Sequence, residues 1–140
     1  MASGETSDHL KEMPPAAHLL GREIVSVDTL SGEVKLRFTA REEFANRHGT
    51  VQGGMLAAML DSATGNAVMA KLPSQLTAVT TRLDTQFLKP AALGAIIATA
   101  RLIHQDERSA EVMAELTDSE GQIVATARAE LRVRERKNRP

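Results

Sequence analysis

The chain has no cysteine, tryptophan or tyrosine, and only three phenylalanines among its 140 residues. Without cysteine there is no disulfide, no thiolate nucleophile and no cysteine-held metal, and the chain fits a reducing compartment. Without large aromatics, the core has to be filled by Ala, Leu, Val, Ile and Met, although hydrophobic residues still reach 42%. Such a core is thin per residue, and a homo-oligomeric interface would bury more apolar surface. The net charge is −1, so no whole-chain field of one sign draws nucleic acid. No uninterrupted apolar run approaches the roughly 18 residues of a membrane span. The polar opening stretch, MASGETSDHLKEMPP, has no apolar segment of the kind that marks a secretory signal. His9, His18, His48 and His104 show no ligand spacing, so no metal is expected. The composition therefore describes a cytoplasmic protein with neither a nucleic acid nor a membrane as partner.

What is present is one ordinary domain's worth of patterned chain. Residues 1–13 read as a flexible tail, residues 14–135 as a single domain, and residues 136–140 as the end of a basic, solvated terminus. Ala16 to Leu20 form a short helix closed by Gly21. Ile24 to Val27 and Val34 to Phe38 form a hairpin turning at Ser31-Gly32. Met55 to Ala70 is the main helix; its small and apolar residues run all round, which predicts burial on most sides. Pro73 stops it.

Four strand-like runs follow. Val79, Thr81, Leu83, Thr85 and Phe87 alternate with Thr80, Arg82, Asp84 and Gln86. Ile96 to Leu102, Ala110 to Leu116 and Ile123 to Val133 show the same period of two, with Ala98, Ala100, Ala114, Ala125, Ala127 and Ala129 on the apolar side. This is the pattern of an antiparallel sheet with one buried face. The order of hairpin, helix and meander predicts an α+β fold, a curved antiparallel sheet wrapped around one long central helix.

Asp61 is the only formally charged side chain between Arg47 and Lys71, and it stands inside the helical run Gly53 to Ala70. A carboxylate in apolar surroundings is costly to bury without compensation, and losing its water prepares it for reaction. Ala57, Ala58, Thr64 and Gly65 share its helix face and leave room for a ligand. The alternatives are an exposed acid on the side of the helix, or a buried one tied to Arg82 as a structural pair. Upstream, Gly53 and Gly54 open the helix with no Ser, Thr or Asp cap beside them. Their N–H groups are then free to bind an oxygen, as in an oxyanion hole. Asn46, His48, Gln52 and Ser62 supply polar groups nearby, with His48 a candidate base. Ser62 directly follows Asp61, so the two point about 100° apart and do not make a triad.

Asn46-x-x-Gly49-x-Val51-Gln52-Gly53-Gly54, then Leu60-Asp61, then Gln86-Phe87-Leu88-Lys89-Pro90 and Gly94, resembles the hotdog-fold acyl-CoA thioesterases of the phenylacetate-degradation (PaaI-like) type. The resemblance runs from about Leu19 to Val133. It implies that Asp61 attacks the thioester carbonyl or activates water, and that the Gly53 N–H polarises that carbonyl. It implies that Asn46 helps hold the thioester or the water, and that the Thr80 hydroxyl positions the water near the carboxylate. Gln52 takes the place of the family's histidine; Gln donates and accepts hydrogen bonds but takes no proton at neutral pH. Gly54, His48, Ser62, Thr64 and Lys89 would line the substrate site. Lys89, Arg101, Arg108 and Arg128 are candidate partners of the coenzyme A phosphates. The resemblance further implies a site shared across the interface of a homodimer, with dimers pairing into a homotetramer, and no cofactor. Two alternatives stand beside it: a non-catalytic acyl-CoA binding module on the same fold, suggested by Gln52, and a hotdog enoyl-CoA hydratase.

Overall fold

The computed structural model describes residues 8–137. Two short helices, α1 (Asp8–Lys11) and α2 (Pro15–Leu19), precede a hairpin of β1 (Glu23–Asp28) and β2 (Glu33–Ala40). A 3-10 turn (Glu42–Phe44) leads to the long helix α3 (Gly53–Met69). Then come β3 (Leu76–Phe87), β4 (Gly94–Gln105), β5 (Ser109–Thr117) and β6 (Ile123–Glu135). The six strands form one sheet in the order β1-β2-β4-β5-β6-β3, with every pairing antiparallel. The architecture is the expected one: a curved antiparallel sheet around a single helix, the hotdog fold. No helix among the described residues is long and apolar enough to cross a membrane.

Registers explain the packing. Val34 pairs with Ala100, Ala100 with Ala114, Ala114 with Ala127, and Ala127 with Thr85. The next row runs through Leu36, Ala98, Leu116 and Ala125. All of these except Thr85 are buried. Alanines in the middle of both rows lower the sheet floor, so α3 can lie close to it. α3 answers with Leu56, Met59, Leu60, Ala63, Thr64, Ala67 and Val68, spaced at three and four residues along one stripe.

Three expectations change here. α3 is not buried on most sides. Gly54 and Asp61 are exposed, and Ala57, Ala58, Ser62 and Gly65 are only half-buried, because the sheet covers a single stripe of the helix. The last four strands are not a sequential meander. β4, β5 and β6 are, but β3 lies at the sheet edge beside β6, and β4 pairs with β2 instead. The alternation in β3 also breaks. Thr80 pairs with Leu131 and Arg82 with Glu130, which leaves Thr81 as an extra residue in a bulge. Thr81 turns to the outer face, where its hydroxyl donates to the Glu130 carbonyl (3.1 Å). Ala78 and Thr80 therefore face the helix.

The stretch expected as a tail is docked from Asp8 onward; residues 1–7 lie outside the described chain. Leu10 is buried in the core and His9 Nε2 is 2.9 Å from the Pro73 carbonyl. At the other terminus, the Arg136 N–H donates to the Gln75 carbonyl (2.8 Å), and its guanidinium meets the Glu12 carboxylate and His9 Nδ1. Residues 138–140 of the basic terminus lie outside the described residues.

Replacing Ala100 by Leu is expected to cost about 1–3 kcal/mol, since added methylenes have no room between the sheet and α3. Ala95→Leu, at an exposed position of the same strand, should stay within about 0.5 kcal/mol of wild type. Urea midpoints of the two variants measure this. Acid should act on the turns. Backbone N–H groups of Arg108 and Ser109, then His104, hold the Asp106 carboxyl down at about 2. Asp28 and Asp118 are lowered by backbone donors in the same way. A carboxyl lowered by folding adds stability above its unfolded value and loses it as pH falls through its folded one. Stability should therefore decline from near pH 4 toward pH 2, and Asp106→Asn should blunt that decline in pH-dependent urea melts.

Candidate active site

Asp61 lies two turns into α3, on the face turned away from the sheet. Its carboxylate Oδ1 accepts a hydrogen bond from Thr80 Oγ1 at 2.8 Å. The bulge at Thr81 brings this hydroxyl inward, and edge placement of β3 puts it beside the helix. The alternative partner is not used: Arg82 Nε meets Asp84 Oδ2 at 3.0 Å instead. Asp61 is exposed within the single chain rather than buried, because its neighbours Ala58, Ser62 and Gly65 are too small to cover it.

Asp61 and Thr80 line a cavity of about 380 Å³. One wall is the face of α3 that carries Ala58, Asp61, Ser62, Gly65, Asn66 and Met69. The opposite wall is the N-terminal segment, including His9, Glu12, Leu20 and Arg22. Ser62 stands beside Asp61; Asn66 Nδ2 donates to the Ser62 carbonyl at 2.7 Å and approaches its hydroxyl at 3.4 Å. Thr64 does not reach this cavity. It is fully buried, and its hydroxyl donates back to the Leu60 and Asp61 carbonyls (2.9 and 3.1 Å), so it belongs to the core and not to a substrate surface.

The glycines lie elsewhere. Gln52 is the residue before α3, and its side chain makes no cap hydrogen bond. Its carbonyl accepts from Met55 and Leu56 (2.9 and 3.2 Å). The Gly53 and Gly54 N–H groups have no partner among the described residues, at the positive end of a 17-residue helix. Gly53 lines a second cavity, of about 440 Å³, with Asn46, His48, Phe87, Leu88 and Lys89. A methyl at Gly53 would sit 3.6 Å from the Phe87 ring, and one at Gly54 would meet nothing within 4 Å. Packing within the chain therefore does not require glycine at either position.

Asn46 is occupied with building the loop. Its Oδ1 accepts from the His48 and Thr50 N–H groups (2.9 and 3.1 Å), and its Nδ2 donates to Thr50 Oγ1 (3.0 Å). His48 is exposed at the rim. Among the cations, Lys89 borders this second cavity. Arg101 and Arg128 face away, paired with Glu33 and Glu111.

The two halves do not meet in one chain. Gly53 and Asp61 are eight residues apart, about 12 Å along the axis. Sequence reasoning found both halves but missed the wall built by residues 9–22. The signal available was Leu10, an apolar residue in an otherwise polar stretch.

Residues 48–125 match the thioesterase superfamily, which spans the loop, α3 and most of the sheet. The chain belongs to that superfamily. A protein of Halobacterium salinarum described as a candidate esterase is 35% identical over 121 residues, covering 78% of this chain and 80% of its own length. A phenylacetic acid degradation-related protein from Ralstonia eutropha, described as a candidate thioesterase, superposes with a TM-score of 0.84 at 37% identity, covering 86% and 91% of the two chains. The PaaI protein of the Escherichia coli phenylacetic acid degradation operon follows, with a TM-score of 0.77 at 26% identity and coverage of 89% and 86%. The chain is a thioester hydrolase of the PaaI-like kind.

Gly65 tests the cavity. No atom lies within 4 Å of an added methyl there, so Gly65→Ala should stabilise the helix by about 1 kcal/mol. The same methyl enters the cavity beside Asp61 and should weaken use of bulkier substrates. Thermal melts together with KM for a short and a long thioester read both effects.

Proposed function

We propose that this thioesterase hydrolyses an aryl- or medium-chain acyl-CoA to the free acid and coenzyme A. Asp61 acts as nucleophile or as general base toward water, and the Gly53 N–H donates to the carbonyl oxygen. The observation that carries the reading is the Thr80–Asp61 hydrogen bond at 2.8 Å, at the mouth of a cavity sized for a small acyl group. Thr80 leaves the second carboxylate oxygen free to attack or to take a proton. If water attacks, its oxygen bonds to the carbonyl carbon and its proton passes to Asp61. Negative charge then collects on the carbonyl oxygen, where a helix N-terminus stabilises it. As the carbon–sulfur bond breaks, the thiolate leaves and is protonated. If Asp61 attacks directly, an acyl anhydride forms as the thiolate leaves, and water cleaves it to restore the carboxylate. Neither route uses a cofactor.

The 12 Å gap between Gly53 and Asp61 supports a site completed by a second copy of the chain. In a homodimer, or a homotetramer built from it, the glycine cavity of one subunit faces the Asp61 cavity of its partner. Asn46 then acts by holding the loop, His48 lies at its rim, and Lys89 is placed for a coenzyme A phosphate. Gln52 orients groups by hydrogen bonding and takes no proton.

The test is thiol release from a panel of aryl- and alkyl-CoA thioesters. Asp61→Ala should lower kcat by roughly 10²–10⁴ with an unchanged melting temperature; unchanged turnover would sink the assignment. Gly53→Ala should lower kcat/KM on the order of 10², by displacing the carbonyl about 1 Å from its donor. Mixing the Asp61→Ala and Gly53→Ala proteins through unfolding and refolding should restore part of the lost turnover, since mixed dimers contain one intact site. No restoration would place both groups in a site within one chain. Stabilisation of the wild type by acyl-CoA with no thiol release would mark a binding module, the alternative that Gln52 favours.

A further inference from the structure

We infer that Arg22 is the specificity-determining residue of the acyl cavity, and that it selects acyl groups whose far end carries a carboxylate. This rests on the proposed thioesterase site at Asp61.

Arg22 is 8% exposed and lines the same cavity as Asp61. Its Nη2 donates to the Glu12 carbonyl at 2.7 Å and the Leu10 carbonyl at 3.3 Å, and approaches the Met13 sulfur at 3.5 Å. Its Nε is enclosed and has no hydrogen-bond partner. Its Nη1 makes no hydrogen bond among the described residues and is not fully enclosed, which leaves it open to a ligand.

No carboxylate among the described residues forms an ion pair with Arg22. The acid nearest in sequence, Glu12, is joined to Arg136. Burial lowers the Arg22 pKa from its ordinary value, but an arginine stays charged. A full positive charge is thus held in the wall of a cavity with no ion pair among the described residues, its hydrogen bonds going to backbone carbonyls. Burying a charge that way is costly unless an anion joins it.

The placement suits the far end of an acyl chain. Arg22 and Asp61 line one cavity, so an acyl group held there with its thioester at Asp61 can present its far end to Arg22. A terminal carboxylate there gains the counter-charge and hydrogen bonds that the guanidinium lacks, whereas a terminal methyl would leave them unmade. The bland alternative is that Arg22 is only a strut tying residues 10–13 to the domain.

The experiment compares adipyl-CoA with hexanoyl-CoA, whose chains are equal in length and differ in the terminal carboxylate. The wild type should favour adipyl-CoA by about 10- to 100-fold in kcat/KM, the range of a charge-assisted hydrogen bond. Arg22→Met should erase that ratio, mainly through KM for adipyl-CoA. Arg22→Lys, which keeps the charge if the Met variant fails to fold, should retain part of it. A wild type without the preference, or a preference that survives Arg22→Met, would overturn the inference. If neither thioester is cleaved, the thioesterase site itself fails, and thermal shifts with free adipate and hexanoate decide this point alone. Greater stabilisation by adipate that depends on Arg22 supports it, and equal shifts reject it.

Discussion

The sheet can wrap α3 because the strands that cross it are floored with alanine. Ala98, Ala100, Ala114, Ala125, Ala127 and Ala129 project inward where larger side chains would hold the helix away. Close approach lets Leu56, Met59, Leu60 and Val68 reach the apolar rows on either side. A chain almost without aromatics has no other way to build a dense core. The same closeness fixes the rotation of α3, since its one bulky stripe has to face the sheet. Asp61, with Ala58, Ser62 and Gly65, is thereby turned to the open side. Asp61 is thus placed by packing that it takes no part in.

Much of this was legible. The inward faces of β4, β5 and β6 follow the alternation in the sequence from Ile96, Ala110 and Ala125 onward, because central antiparallel strands have no freedom to slip without exposing their apolar set. At the start of β6 the β5–β6 register shifts, which leaves Ile123 exposed and buries Val124 instead. The start and stop of α3 were legible from Gly53-Gly54 and Pro73. The partner of β3 was not. Adjacent strands pair more often than not, and nothing local in residues 88–93 announces that the chain crosses to the far side of the sheet. Nor was the bulge. Strict alternation groups Thr80 with Arg82 and Asp84 on the wetter face, and one extra residue at Thr81 reverses that for the one hydroxyl that touches Asp61. The family resemblance named Thr80 where the pattern alone could not.

The N-terminal segment failed to read for a different reason. Its apolar content is low, and a polar stretch with one leucine reads as solvated chain. Its docking comes from polar groups making long-range bonds: His9 to Pro73, Arg22 to the Leu10 and Glu12 carbonyls, Arg136 to Glu12. Such bonds have no periodicity and join positions up to 127 residues apart. Single-sequence reasoning weighs neighbours, so it sees none of them. The outcome matters for the proposed function, because this segment forms part of the wall of the cavity that Asp61 lines.

The proposed oxyanion donor, Gly53, and the proposed reacting acid, Asp61, lie on one rigid helix yet line separate cavities. Residues on a helix keep their separation, so no side-chain motion brings the Gly53 N–H to a carbonyl held at Asp61. A single chain carries each half of the machinery once, in separate cavities. In the proposed dimer, two-fold symmetry would resolve this without new residues, since an isologous contact would set the start of one α3 against the middle of the other and complete two sites at once. The open face of α3 fits that arrangement: Gly54 and Gly65 have empty space around them, and alanine would make a better helix at both. Helix stability is given up along the face that a partner backbone and a substrate would have to approach. In that proposed dimer the open face of α3 and the divided site would have one cause, a chain whose chemistry is completed by a second copy of itself.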